Sequence, residues 1–363
     1  MRWVIDTLDQ RAVPYFIDPI GNIVVGATSI ADYRHRLREP STEPLRVFIA
    51  HMDHPGFHGV RWIKPNVLRI RWHGGSPTKL LSGSRVWLTT VEGWSGEGVL
   101  RNIKQHPKGY AISTAEVTVQ ASCIAEIRPA AKLLFGGFKF RKPVWKSGLK
   151  LYTQAADDLV GVFCIVATAL EVFSQHRQKR PPFIGLLTRA EEVGLVGAVG
   201  HFELGYLQAA RRPVVCVSLE ASRTLPGALV GQGPIVRLGD RRTPFHADYL
   251  QVLTELAETV LPKKHQRRIM DGGSCEGSAA MAYGLPTIAL AVPLGNYHNQ
   301  GLEGGPDCRG KNGPAPEFVH IGDVEGQRRL CVALMQAKLP WNRPWIKVRA
   351  RLQENYRKYQ KQL

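Results

Sequence analysis

The sequence predicts an α/β protein in which a mixed, mostly parallel sheet is flanked by helices and carries a small inserted β domain. Three observations support this prediction. Four short apolar runs recur along the chain, segments with helical periodicity alternate with them, and one long stretch contains only short strands separated by Gly, Pro and Ser. Apolar strands that alternate with helices indicate βαβ units, whose parallel sheets are covered on both faces.

The four apolar runs are the expected parallel strands. They are LRVFIA (45–50), FIGLLT (183–188), VVCVSL (214–219) and TIALAV (287–292). Helical periodicity predicts helices over 158–176, 194–210, 247–261 and 324–338. The first 27 residues are expected to form a short helix and two strands around a turn at Gly21-Asn22. The segment from there to Pro44 is expected to be a polar, basic loop.

The stretch 60–145 interrupts this alternation. It contains the strand-like runs NVLRIRW, SRVWLTTV, EGVLRNI and AEVTVQA without a long helix. We therefore expect 60–145 to form an inserted small β-barrel domain. It would serve as a lid or an assembly surface; the alternative is an inserted β segment with neither role. Segments 1–59 and 146–340 would then form the α/β domain, and 341–363 a basic C-terminal tail.

Composition limits the class of protein. The chain has 363 residues, of which 44% are hydrophobic and 21% charged, enough for a large core. The net charge of +18 favours anionic partners, but the basic residues are spread along the chain rather than clustered. The six cysteines include no CxxC pair, and the N-terminus does not resemble a signal peptide. The sequence also lacks a long apolar segment, so we expect a cytoplasmic protein with no membrane partner.

Side chains that bind metals follow the predicted strands. His51 and Asp53 follow the first run, Glu191 and Glu192 the second, Glu220 ends the third, and His298 follows the fourth. A further pair, Asp157-Asp158, opens a predicted helix. Each piece alone has an ordinary explanation: a polar pair at a strand end, a helix N-cap, a first helical turn or a turn residue.

Their combination is more informative than any member. The carboxyl ends of parallel strands meet at one edge of the sheet, so these groups should converge in one crevice. Two histidines with three or four carboxylates are what a two-metal hydrolytic site requires, because a carboxylate can bridge two cations and a neutral imidazole cannot. Imidazole and carboxylate ligands suit zinc, and also cobalt or manganese. A nearby carboxylate that is not a ligand can deprotonate the water between the metals.

Several segments, taken in their order along the chain, resemble a known family. They are IDPIGNIVV, AHMDHPGF, ADDLVGV, TRAEEVGLVGA, GGSCEGSAAMAYGLPTIALAVP and YHN. In order and spacing they are similar to the dinuclear metallo-aminopeptidases that include glutamyl aminopeptidases, the tetrahedral (TET-type) aminopeptidases and the endoglucanase-M-like peptidases. The resemblance implies the phosphorylase/hydrolase-like fold of zinc peptidases, with its inserted β domain, and hydrolysis of N-terminal residues from peptides.

The resemblance also implies a role for each site residue. Asp157 would bridge two divalent metal ions, with His51 and Glu220 completing one site and Glu192 and His298 the other. Asp53 would hydrogen-bond the far nitrogen of His51, and Glu191 would be the general base. The peptide bond after Asp157 would be cis. Substrates would be peptides, and the chain would form a homo-oligomer, from a dimer up to a dodecamer.

Some features depart from the family pattern or leave alternatives open. Glu220 stands where Asp is common, Leu159 where Arg is usual, and the N-terminus is shorter by most of a helix. Related co-catalytic zinc carboxypeptidases, dipeptidases and deacylases carry Glu at the position of Glu220, which keeps that group as the alternative enzyme class. A basic nucleic-acid-binding or assembly protein is the alternative of another class, because the tail mixes Lys and Arg with Trp and Tyr. A solvated helix explains that tail better, so a nucleic-acid partner is not expected.

Overall fold

The structure is a computed structural model that describes residues 1–123, 128–175 and 180–362. The strands before the barrel are β1 (Tyr15–Ile17), β2 (Ile23–Val25) and β3 (Leu45–His51). The barrel strands are β4 (Gly56–Lys64), β5 (Val67–His73), β6 (Arg85–Thr89), β7 (Ser95–Gln105), β8 (Ile112–Val119) and β9 (Phe135–Phe138). The strands that follow are β10 (Val144–Ser147), β11 (Lys150–Thr153), β12 (Phe183–Thr188), β13 (Val214–Arg223), β14 (Ile235–Asp240), β15 (Thr243–Pro244), β16 (Gln266–Met270), β17 (Thr287–Gly295) and β18 (Glu317–His320).

A twelve-stranded mixed sheet forms the centre of the molecule. Its main path runs β1-β2-β12-β3-β13-β17-β18-β11-β10, and β14 to β16 extend it beside β17. The four apolar runs of the sequence are β12, β3, β13 and β17, which lie side by side and parallel. Every residue of β3, β12 and β17 is buried, as expected for strands covered on both faces. The predicted α/β class with a mostly parallel core is confirmed.

Helices cover both faces of this sheet. The described α-helices are α1 (Arg2–Gln10), α2 (Ile30–Arg38), α3 (Leu159–Gln175), α4 (Val196–Glu203), α5 (Ala247–Val260), α6 (Glu276–Ala282), α7 (Ile321–Ala333) and α8 (Ile346–Tyr359), of which α1 to α7 pack on the sheet. One hydrophobic core joins α1, α3, α5 and α7 to one face of the strands, and a second core joins α2, α4 and α6 to the other. Neighbouring residues of β3 alternate between them: Phe48 packs in the first core, and Val47 and Ile49 pack in the second.

The segment before Pro44 is not the polar loop that the sequence predicts, because it contains α2. Ser29 caps this helix by accepting a hydrogen bond from the Asp32 amide. Its buried face consists of Tyr33, Arg36 and Leu37. The Arg36 guanidinium donates to the carbonyls of Gly26 and Pro181, so a charged side chain occupies a core position. A pattern that counts apolar residues therefore misses the helix.

The six strands β4 to β9 close into an antiparallel barrel in the order β4-β5-β8-β7-β6-β9. The barrel has its own core, which includes Phe57, Trp72 and Phe138. It begins soon after β3 ends at His51, so it stands next to the carboxyl edge of the central strands. Strands β10 and β11 return to the large sheet, where β11 pairs with β18.

The C-terminal segment forms α8, none of whose residues is buried. Trp345, just before it, donates to Asp248, and Lys347 pairs with Glu255. Among the described helices, none combines the length and the apolar character needed to cross a membrane.

Candidate metal centre

The predicted ligands meet at the carboxyl edge of the central strands. His51 is the last residue of β3, and Glu220 lies near the end of β13. Glu191 and Glu192 are in the loop after β12, and His298 lies in a single 3₁₀ turn (Tyr297–Asn299) after β17. The parallel register places Thr188 of β12 opposite His51, so the loop with the two glutamates starts beside that histidine.

Asp157 lies between the two histidines. Its Oδ1 is 3.3 Å from Nε2 of His51, and its Oδ2 is 3.7 Å from Nε2 of His298. Glu192 Oε1 is 3.3 Å from the same His298 nitrogen. Two compact groups of potential ligands therefore share Asp157: one with His51 and Glu220, and one with Glu192 and His298. These are the two triads that the resemblance implies.

Glu191 lies at the same place without belonging to either triad. Its Oε2 is 4.0 Å from His51 Nε2, and together with Glu192 and His51 it makes a third compact group. Burial, and the charges of Glu220 and Glu192, raise the pKa of Glu191 well above its ordinary value despite the opposing effect of His51. A carboxylate with a raised pKa at this position is suited to accept and release a proton.

The peptide bond between Asp157 and Asp158 is cis, as the resemblance implies. The two side chains have different contacts. Asp158 is fully buried, and its Oδ1 accepts from the Gly161 amide in the first turn of α3. The helix-cap interpretation of this pair therefore applies to Asp158, whereas Asp157 points into the centre.

Asp53 makes contacts that differ from the expected ones. The Nδ1 of His51 lies 3.1 Å from the main-chain carbonyl of Asp53 and 3.8 Å from its carboxylate. The carboxylate instead accepts from the backbone amides of Glu191, at 3.0 Å, and Glu192, at 3.2 Å. Donation from Nδ1 to the carbonyl leaves Nε2 of His51 free to face Asp157. The Asp53 side chain thus holds the loop of the two glutamates.

The donor atoms of the centre fit a bound cation. Among the described residues, Asp157 Oδ1, Glu192 Oε1 and Glu220 Oε1 are buried oxygens without a hydrogen-bond partner. Leaving one such group unpaired costs about 1–3 kcal/mol, more when it is charged. A metal ion would bind several such oxygens around one point. Carboxylate oxygen together with imidazole nitrogen is a donor set for divalent metals such as zinc.

Two residues that the sequence did not single out support the centre. Glu317 opens β18 and is fully buried. Its Oε2 accepts from the amides of Ala156 and Asp157, at 2.7 and 3.1 Å, and its Oε1 accepts from the His298 amide at 2.9 Å. Burial raises the pKa of Glu317 to about 7, although His54 opposes this. A lone glutamate before a short strand gives no sequence signal for this contact.

The second is Arg237 of β14, which is also buried. Its guanidinium lies 3.8 Å from Glu220 Oε1 and pairs with Asp240. Burial raises the pKa of Glu220 to about 8, with Arg237 and His51 acting in the opposite direction. Glu220 is thus held next to a fixed cation as well as beside His51.

Two clefts open onto the centre at Glu192. The first has a volume of about 810 Å³ and is mostly lined by apolar side chains, such as Phe57, Trp87 and Phe135 of the barrel. His54 and His58 line it as well, and Nδ1 of His54 is 2.9 Å from the Asp157 carbonyl. The second cleft, of about 680 Å³, lies between the barrel and His298.

Solved structures with the same fold include several aminopeptidases. The TET1 peptidase of Pyrococcus horikoshii, which can assemble into a tetrahedron or a large octahedral shell, has a TM-score of 0.67 at 22% identity over 93% of each chain. The TET aminopeptidase from Thaumarchaeota archaeon SCGC AB-539-E09 has a TM-score of 0.68 at 18% identity, covering 92% of this chain and 90% of that one. An aminopeptidase from Desulfurococcus kamchatkensis has a TM-score of 0.67 at 20% identity, covering 94% and 90%.

Sequence comparison assigns the family. No curated protein sequence matches the chain. The profile of the family described as M42 glutamyl aminopeptidase matches residues 35–302, a range that runs from α2 past His298 and contains every predicted site residue. A match over this much of the chain shows membership: the chain belongs to the M42 glutamyl aminopeptidase family of metallopeptidases.

Proposed function

We propose that this chain removes N-terminal residues from peptides with two divalent metal ions, most simply zinc, held by the two triads that share Asp157. Membership of a metallopeptidase family implies divalent metals, and their number and identity belong to this proposal. The observation that carries it is the position of Asp157, with one oxygen towards each histidine. Cobalt or manganese would suit the same donors.

In this proposal His51 and Glu220 would hold one ion, Glu192 and His298 would hold the other, and Asp157 would contact both. When bound, such a pair of ions would polarise the scissile carbonyl and would make a water acidic enough to lose a proton near neutral pH. Glu191 would accept a proton from the attacking water as the water oxygen bonds to the carbonyl carbon. It would then deliver that proton to the amide nitrogen as the C–N bond breaks, which leaves a carboxylate and a free amino group. Asp53 keeps Glu191 and Glu192 in place through their backbone amides.

The experiment that tests the proposal combines metal analysis with turnover of an aminoacyl p-nitroanilide panel. The wild type should bind two equivalents of metal and hydrolyse at least one p-nitroanilide. Glu191→Gln should keep both metals and lose turnover, whereas the matched variant Glu192→Gln should lose metal. Activity retained by Glu191→Gln would remove Glu191 as the base. Hydrolysis of N-acylated amino acids alone would favour the deacylase or carboxypeptidase alternative.

We also propose that the chain acts as a homo-oligomer. A solved PhTET1 structure is a dodecamer, and the barrel of this chain exposes apolar side chains, including Val60, Ile63 and Val91, as expected of a contact surface. Light scattering after size exclusion measures the mass directly, and a monomer at micromolar concentration would refute this proposal. Five cysteines are free thiols, namely Cys164, Cys216, Cys275, Cys308 and Cys331. They support our proposal of a reducing, cytoplasmic location.

A further inference from the structure

The second cleft, which we call the basic cleft, is formed largely by the barrel. Its wall includes Arg71 and His73 of β5, and His106 and Tyr110 of the β7–β8 connection. On the other side it is bounded by Glu192 and His298 of the candidate metal centre. The barrel therefore supplies the polar side chains that a ligand at the centre would meet in this direction.

Close contact fixes the barrel against the centre here. A Cβ atom on Gly75 would lie only 2.1 Å from Nδ1 of His298, and one on Gly74 would lie 3.3 Å from the Glu192 Cβ. The chain that follows β5 thus touches both residues of the Glu192–His298 pair. His73, directly before Gly74, is held by His58, whose Nδ1 is 2.7 Å from its Nε2.

Arg71 brings a positive charge to the lining of this cleft. Arg71 is exposed, and within the described part of the chain it forms no salt bridge. By contrast Arg69, on the same strand, is paired with Glu116 at 2.8 Å. The cross-strand neighbours of Arg71 are His58 and Thr114, neither of them acidic. Among the lining residues the carboxylate is that of Glu192, which already faces His298.

We propose that the basic cleft binds a carboxylate of the peptide substrate, with Arg71 as the main donor and His73 and His106 beside it. A guanidinium presents a planar pair of N–H groups that matches a carboxylate, and an unpaired one beside a reaction centre favours an anionic ligand. This inference rests on the proposed function. The carboxylate would come from the C-terminus of a short peptide, roughly 3.5 Å of chain per residue beyond the scissile bond, or from an acidic side chain.

Two pairs of substrates separate these sources in the metal-loaded protein. Leu-Gly is compared with its amide Leu-Gly-NH2 for the C-terminal carboxylate, and the p-nitroanilide of Glu with that of Gln for the side chain. The variant is Arg71→Gln, and the matched control is Arg61→Gln, an exposed arginine of β4 that does not line the cleft. In addition, calorimetry measures the Kd of a non-cleavable Leu-Gly analogue, which has CH2–NH in place of the peptide bond. The Kd of the amide of this analogue is measured in the same way.

We expect the wild type to prefer the carboxylate member of at least one pair, and Arg71→Gln to reduce that ratio of kcat/KM about tenfold, mainly through KM. Arg61→Gln should leave the ratio unchanged. The pair that responds identifies the source of the carboxylate. Equal use of both members of each pair by the wild type, or ratios that Arg71→Gln does not change, would overturn the inference. If the protein hydrolyses none of these substrates and no p-nitroanilide of the panel, the proposed function fails. The Kd ratio of the analogue and its amide then decides for or against the cleft separately.

Discussion

Replacing Glu317 by Gln should weaken the metal centre without removing any proposed ligand. The Glu317 carboxylate accepts three hydrogen bonds, from the amides of Ala156, Asp157 and His298. The single oxygen of Gln can face the first two amides, and its NH2 group then opposes the His298 N–H. One hydrogen bond to a charged acceptor, worth about 1.5–3 kcal/mol, is lost and a buried donor is left unpaired.

We therefore expect Glu317→Gln to lower the free energy of unfolding by about 2–4 kcal/mol. We also expect it to weaken binding of one metal equivalent about 10- to 100-fold, because Asp157 and His298 lose their common anchor. Urea unfolding of the metal-free protein gives the first value, and competition with a chelating dye gives the second. Both are measured at pH 8, above the pKa of about 7 of Glu317, where the carboxylate is mostly ionised.

The control for this experiment is Glu325→Gln in α7. Glu325 is half exposed and pairs with Arg328 on the surface, so its loss should change stability by less than about 1 kcal/mol and leave metal affinity unaltered. If Glu317→Gln matches the wild type in both measurements, the hydrogen bonds of Glu317 do not organise the centre. If only stability falls, Glu317 is structural and does not position the ligands.

Three further predictions concern the stability of the fold. Arg46 of β3 is fully buried and donates to the carbonyls of Pro44, Leu334 and Gln336. Arg46→Leu should therefore lower the free energy of unfolding in urea by about 3–5 kcal/mol. A loss below about 1 kcal/mol would refute this role. A Cβ on Gly136 of β9 would lie 2.0 Å from the Trp87 carbonyl, so Gly136→Ala should destabilise the barrel by about 3 kcal/mol or more, visible as altered tryptophan fluorescence on heating. Burial raises the pKa of Asp18, but hydrogen bonds with His201 and Asn22 outweigh it and lower that pKa below 3.8. The stabilisation from Asp18 is therefore complete well above pH 3.8 and is lost as the pH falls through the folded-state pKa. The difference in free energy of unfolding between the wild type and Asp18→Asn should disappear in that pH range. A difference that does not depend on pH would contradict this.

The sequence was most informative where one physical property dominates. The four central strands were predicted because strands covered on both faces need uninterrupted apolar runs, and β12 coincides with its predicted range. The convergence of His51 and His298 followed from the rule that parallel strands end at one edge. Both predictions need only the local pattern of each strand and a general rule of sheet geometry.

The contacts that the sequence did not predict depend on partners distant in the chain. Helix α2 was missed because Arg36 occupies its buried face, where it donates hydrogen bonds to the carbonyls of Gly26 and Pro181. Glu317 and Arg237 are single charged residues in otherwise ordinary strands, and only the folded chain shows what they contact. Asp53 lies beside His51, but its carboxylate has a different partner from the expected one, because the neighbouring loop presents two backbone amides to it.

The arrangement of the metal centre has a consequence for folding. Its proposed ligands come from five separate segments, from the end of β3 to the turn after β17, so no fragment of the chain contains a complete set. Cations that bind only the assembled set stabilise the native state by mass action, by about 2.7 kcal/mol at a free concentration one hundred times Kd. Metal supply would then control how much of the protein is folded as well as how much is active, and chelation would expose the chain to proteolysis.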